Sequence, residues 1–195
     1  ARTVLGTHQV ATLASLVNRE LDCPDVVSTA TYADLEAAEA IVVVNSRLAD
    51  EHFVVDLMAK KAIRRGAKLI CIGDAGERVE RYADLVLRCP AGREPDALLA
   101  LLQASRRPGS GLERNARLAA ALDATTLEAL AEKAGIEPGD ARAAAGLLHG
   151  ASAPVLVTNR DWRGARMPRD LRFFAEAAEA LGCGLLALRE KANGQ

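Results

Sequence analysis

Two glycines three residues apart, in the turn Gly73-Asp74-Ala75-Gly76, follow directly on the apolar run Lys68-Leu69-Ile70-Cys71-Ile72. Backbone amides in such a turn can approach a phosphate, and an arginine such as Arg47 or Arg160 can neutralise it. The same spacing also serves a tight turn with no ligand, because glycine is needed there for conformation alone. Other short polar stretches follow apolar runs: Asn45-Ser46-Arg47, Cys89-Pro90-Ala91-Gly92, Asn159-Arg160-Asp161 and Arg189-Glu190-Lys191. Ligands of open α/β sheets bind outside the carboxyl ends of the strands, so binding chemistry is expected at these positions. Trp162 either stacks on a ring there or packs locally.

Nucleophilic and metal chemistry find no support. The chain has no Gly-x-x-x-x-Gly-Lys-Ser/Thr loop, no full Gly-x-Gly-x-x-Gly fingerprint and no Gly-x-Ser-x-Gly elbow. Its four cysteines, Cys23, Cys71, Cys89 and Cys183, form no Cys-x-x-Cys pair, and His8, His52 and His149 stand at no ligand spacing to them. Cys71 reads as a small buried hydrophobe, and reduced thiols of the cytoplasmic kind are expected. Lys and Arg number 25 against 26 Asp and Glu, a net charge of -1, which leaves no excess to grip a polyanion. Nucleic acid is therefore not expected as a partner, nor is an anionic membrane surface. The cluster Lys60-Lys61 with Arg64-Arg65 reads as a solvated helix face near a C-terminus. No apolar run approaches the roughly 18 residues of a membrane span.

The elements that must position these residues follow from periodicity. With 195 residues, half of them apolar and only 3% aromatic, the chain makes one or two globular domains in which helices pack over a small-residue sheet. Ala40 to Val44 is continuously apolar and β-branched, as a strand covered on both faces must be. Ala49 to Arg65 turns helical, with Phe53, Val54, Leu57, Met58, Ala62 and Ile63 at spacings of three and four. Lys68 to Ile72 is a second strand, Glu77 to Tyr82 a short helix, Asp84 to Arg88 a third strand and Pro95 to Ser105 a helix. Arg106 to Gly111 is dense in turn formers and reads as a linker or long loop. Helices are expected over Leu112 to Leu122, from a Thr125 or Thr126 cap to Ala134, and from Pro138 to Leu148; Thr125 with Glu128 matches a capping box. Pro154 to Thr158 is a strand, Arg169 to Leu181 a helix and Gly184 to Leu188 a last strand. Upstream, Gln9 to Leu21 is read as helix, Asp22 to Thr31 as loop and Thr31 to Ala38 as a short helix. The expected fold is α/β, a doubly wound, mostly parallel, Rossmann-like sheet with a helical excursion between two β-α-β parts. Its divisions are an α/β domain over 1–107, a linker and helical segment over 108–150, and a second β-α-β part over 151–195.

The order of these pieces resembles the molybdopterin oxidoreductase family, meaning the large subunits of formate dehydrogenases and, without their cofactor, of respiratory NADH-quinone oxidoreductases. The resemblance rests on Arg2-Thr3-Val4-Leu5-Gly6-Thr7, on Tyr32-Ala33-Asp34-Leu35-Glu36 with Ala38-Glu39-Ala40-Ile41, and on Ile136 to Ala145. Its most specific part is Ala62 to Ile72 followed by Ala83-Asp84-Leu85. Where the family's molybdenum enzymes carry Asp-Pro-Arg and a nearby Thr, this chain has Gly73, Asp74, Ala75 and Glu77. The family's Gly-x-Asn-Pro is replaced by Asn45-Ser46-Arg47-Leu48, and its Pro-Gly-Thr-Asp by Pro90 to Asp96, with Gly92 and Asp96 in common. Arg189 to Gly194 is closer to the Ala-Asn-x-x-Gly of the respiratory subunits.

The resemblance implies an internal portion of a redox-enzyme large subunit, with iron-sulfur clusters only outside this stretch. Its partners would be other domains of that subunit and other subunits of the complex. Its place would be cytoplasmic, associated with a membrane only through those partners. The first reading is a scaffold beside an iron-sulfur chain, inactive as an isolated piece and without catalytic or metal residues. A second is a domain that binds molybdopterin guanine dinucleotide through Asn45, Ser46, Gly73, Asp74, Gly92, Asp96 and Asn193. A Glu77 beside the phosphates would repel them and argues against retention of that cofactor. A third reading is a free-standing nucleotide-binding module.

Overall fold

The computed structural model describes residues 28–74, 76–107, 111–159 and 172–188. Thr31 opens the first helix, α1 (Tyr32–Ala37), with a capping box: its hydroxyl accepts from the Asp34 amide at 3.2 Å, and the Asp34 carboxylate accepts from the Thr31 amide at 2.7 Å. These hydrogen bonds hold the Asp34 carboxyl below its ordinary range. After β1 (Ala40–Val44), every residue of which is buried, come α2 (Leu48–Glu51), α3 (Phe53–Arg64) and β2 (Lys68–Gly73). A 3-10 turn (Arg78–Tyr82), β3 (Leu85–Arg88) and α4 (Glu94–Ala104) follow. The helical excursion is a 3-10 turn (Gly111–Arg114), α5 (Ala116–Asp123), α6 (Leu127–Ala134) and α7 (Pro138–His149). The chain then makes β4 (Pro154–Asn159), α8 (Arg172–Leu181) and β5 (Gly184–Leu188).

The five strands among the described residues join one parallel sheet in the order β3-β2-β1-β4-β5, with Val44 level with Ile72 on one side and Thr158 on the other. Strand residues alternate between two cores. Ala40, Val42, Val44, Ile70, Ile72, Leu156 and Leu185 pack under α4 to α8, while Ile41, Val43, Leu69, Cys71, Val155 and Val157 pack under α1, α2 and α3. The fold is thus the doubly wound α/β sheet expected. The two β-α-β parts are the two wings of that single sheet, and the excursion lies over one face. The β5 edge is covered by residues 28–30, whose Thr29 and Ala30 amides both donate to the Leu185 carbonyl at 2.9 Å.

Three expectations are corrected. The helix over Ala49 to Arg65 is broken at His52 (φ -135°, ψ 56°), which separates α2 from α3. Its buried face is Val55, Asp56, Ala59 and Ala62, whereas Phe53, Val54 and Leu57 stand exposed. Small side chains let α3 lie close to the sheet, and Asp56 enters with Lys60 as its ion-pair partner at 2.5 Å. Leu112 lies in a 3-10 turn, and the helix after it starts at Ala116, capped by Asn115. Of the two expected caps Thr126 is the one that caps α6, but the Thr125–Glu128 capping box does not form; the Thr125 hydroxyl donates to the Ala121 carbonyl instead. The readings over Gln9 to Leu21 and Asp22 to Val27 and the family segment Arg2 to Thr7 lie outside the described residues.

Candidate functional site

Because β1 leaves toward α2 and α3 on one face, while β4 is reached from helices on the other, the chain reverses its winding between β1 and β4. Ligands of such sheets bind at the carboxyl ends beside that switch point. Asn45 ends β1 with φ 44°, a left-handed conformation that asparagine tolerates, and its amide donates to the Ile72 carbonyl at 3.0 Å. Ser46 is 2% exposed, and its hydroxyl has no hydrogen-bond partner among the described residues; the same holds for Thr158 on β4. At the end of β4 the Asn159 amide nitrogen donates to Glu51 Oε2 at 3.0 Å, tying the strand to α2.

Asn45, Ser46, Gly73 and Asp74 line one cleft with Glu77 and Glu80, floored by Val43, Cys71, Ile72 and Val79. Four of the seven sequence-predicted binding residues are therefore brought together. The cleft encloses ≈ 10 Å³, space for about one water. The arginines around it are already paired with acids: Arg47 faces Glu77 at 3.5 Å, Arg78 faces Asp50 at 3.7 Å, and Arg88 holds Glu80 with two contacts of 2.5 and 3.1 Å. Burial pushes the Glu77 carboxyl up, Arg47 pulls it down, and Glu80, Asp50 and Glu51 push it up again. Burial also pushes the Cys71 and Cys89 thiols up to about 12, so neither is a thiolate near neutrality.

Gly92 and Asp96 lie apart, where β3 passes into α4. Gly92 takes φ 80°, which explains a glycine by backbone conformation. Asp96 pairs with Arg93 at 3.0 Å and with Lys133 at 2.7 Å, fastening α4 to α6. Asn193, Arg160 and Trp162 lie outside the described residues. Sequence reasoning missed Glu94, which is 1% exposed and whose Oε2 has no partner among the described residues. No pattern marked it, since an acidic residue in a first helical turn is ordinary. Burial pushes its carboxyl up, the Glu94 and Gly92 amides pull it down, and Asp74 adds to the rise.

A carboxyl raised in the folded state keeps a proton that the unfolded chain releases. The stability tied to Glu94 is therefore complete below its ordinary value of 4.5 and is lost as pH rises through the folded value. Glu94→Gln removes that loss. Urea midpoints measured from pH 4.5 to 8 should fall for the parent relative to the variant as pH rises, and parallel curves would refute the assignment.

The fold and cleft define a doubly wound α/β domain with a polar carboxyl edge. No protein-family model matches the chain, and no curated protein matches it. Among solved structures it is similar to acetylene hydratase from Pelobacter acetylenicus, with a TM-score of 0.61 and 18% identity over 93% of this chain. The chain spans 25% of that enzyme. At this identity the likeness shows a shared fold. Among the described residues no helix is long and apolar enough to cross a membrane, and no cluster of His, Cys, Asp or Glu is arranged to hold a metal.

The pyrophosphate of a molybdopterin guanine dinucleotide would bring negative charge to this edge. The described cleft does not fit it. Its volume is far below the roughly 300 Å³ or more of a ligand pocket, its arginines face Glu77, Asp50 and Glu80, and Asp74 and Glu77 would repel the phosphates.

Proposed function

We propose that this chain is a molybdopterin-oxidoreductase-like domain of a larger redox subunit, serving as a scaffold beside an iron-sulfur electron-transfer chain. The sequence resemblance and the fold likeness support the coarser half of this reading, a domain of molybdopterin-oxidoreductase type. One observation favours the scaffold half: arginines at the carboxyl edge are spent on Glu77, Asp50 and Glu80. A respiratory NADH-quinone oxidoreductase is the particular subunit proposed. Its partners are other domains of that subunit and neighbouring subunits, with a cytoplasmic location and membrane association only through them.

The second reading is binding of molybdopterin guanine dinucleotide in a formate-dehydrogenase-like enzyme. The buried Ser46 and Thr158 hydroxyls favour it, since unpartnered polar atoms at a switch point suit a polar ligand. Metal and pterin analysis of the full-length protein separates the two. Absence of molybdenum, tungsten and pterin is expected, and a stoichiometric metal-pterin content would overturn the scaffold reading.

A further inference from the structure

A cavity of ≈ 370 Å³ opens at the amino edge of the sheet, at the other end of the strands from the cleft beside Gly73. That volume lies within the roughly 300–1,000 Å³ of small-molecule sites. Its walls come from the ends of three helices, with Ser105 after α4, His149 on α7 and Leu181 on α8, and from the approach to β4. Buried Leu148, Pro154 and Ala180 give it an apolar side. Among the described residues the ionisable side chains that line it are Arg107 and His149, both exposed, and no Asp or Glu does so.

The acids of the neighbouring segments are engaged elsewhere. Asp123 pairs with Arg106, Glu179 faces Arg114 at 3.6 Å, and Glu39 accepts from the Ser152 amide and hydroxyl at 2.7 and 2.9 Å. Arg106 is thus paired, whereas Arg107 beside it has no ion pair among the described residues. His149 Nε2 lies 3.2 Å from the Ser105 carbonyl. A carbonyl can only accept, so Nε2 carries the proton of this contact and Nδ1 is left for a ligand.

We infer that this cavity binds a small aliphatic carboxylate. Its carboxylate pairs with the Arg107 guanidinium, whose planar fork matches that group, and protonated His149 supplies a second donor through Nδ1. Its alkyl chain lies against Leu148, Pro154 and Ala180. The three helix C-termini and Glu39 add negative potential to the wall, which favours a singly charged anion over a doubly charged phosphate. A cationic ligand would meet Arg107 with no acid of the described lining to hold it. The site is independent of the cofactor question, which concerns the opposite edge of the sheet.

Ligand-observed NMR titration of the full-length protein with sodium hexanoate should show saturable binding with a dissociation constant of about 1 mM. Sodium butyrate, two methylenes shorter, should bind at least about fourfold more weakly. Hexylammonium and inorganic phosphate should fail to displace hexanoate. Arg107→Met keeps an apolar stem without the charge and should weaken hexanoate at least about tenfold. Arg106→Met is the control and should bind as the parent does. Both arginines are exposed, and unchanged far-ultraviolet dichroism verifies the fold. The proposal is overturned by the absence of saturable binding up to about 20 mM, by equal affinity for butyrate, or by displacement with hexylammonium or phosphate. It is equally overturned if Arg107→Met binds like the parent, or if Arg106→Met loses as much.

Discussion

Phe174→Ala is expected to lower the stability of the domain by about 3–5 kcal/mol, read as a fall in the urea midpoint with an unchanged slope. Phe174 is fully buried in the core between the sheet and α4 to α8. Its ring meets that of Phe173 edge-on, with centroids 5.5 Å apart. The loss should fall toward the upper end because of what surrounds it. The chain has three phenylalanines among 195 residues and builds its core from alanine and leucine. Ala177, Ala178 and Ala180 on the same helix have no rotatable side chain with which to fill the cavity. Phe173→Ala is the control, because this half-buried ring leaves a hole that solvent reaches. It should cost less than half as much, and equal losses would mean that the core collapses around the missing ring.

The same small-residue chemistry decides what could be read from the sequence. Strands β1 and β2 were legible because a parallel strand buried on both faces must be continuously apolar, as Ala40 to Val44 and Leu69 to Ile72 are. The direction of α3 was not. Its sequence offers two stripes at helical spacing, and size alone favours Phe53, Val54 and Leu57 for the core. The structure instead buries Val55, Ala59 and Ala62, because close approach of a helix to the sheet rewards small residues, and it accommodates Asp56 by pairing it with Lys60. Hydrophobic periodicity gives a helix its period, while the phase depends on what it packs against.

The site was legible to the extent that topology confers it. Residues after apolar runs lie at the carboxyl edge of any parallel sheet, which is why Asn45, Ser46, Gly73 and Asp74 come together. That β4 rather than β3 lies beside β1, bringing Asn159 to Glu51, depends on strand pairings more than one hundred residues apart in sequence, and no local pattern encodes them. Asp96 and Glu94 illustrate the complement. Both are acids of one helical turn, yet Asp96 is spent on Arg93 and Lys133, and Glu94 is buried without such a cation among the described residues. Only the packing of α4 against the sheet distinguishes them.

Gly111→Ala should be the other large loss, about 3 kcal/mol, although the residue sits in a stretch whose composition reads as linker. A Cβ at Gly111 would collide with the main-chain carbonyl of Glu179 and come within 3.1 Å of its carbon and 3.3 Å of Ala180 Cα. These are backbone atoms at the end of α8, and the Glu179 carbonyl is held by the Gly182 amide at 3.0 Å. No rotamer change relieves the clash, so the turn Gly111–Arg114 must lift away and carry Leu112, 5% exposed, out of the core. Gly146→Ala makes the opposite case within the same domain. Gly146 lies inside α7, is exposed, and an added Cβ meets nothing within 4 Å. That substitution should stabilise the domain by about 0.5–1 kcal/mol through helix propensity. Urea unfolding of the two variants side by side tests the contact directly. If Gly111→Ala unfolds at the parent's midpoint, the turn does not rest on α8; if it falls while Gly146→Ala rises, the apparent linker is a packed part of the domain.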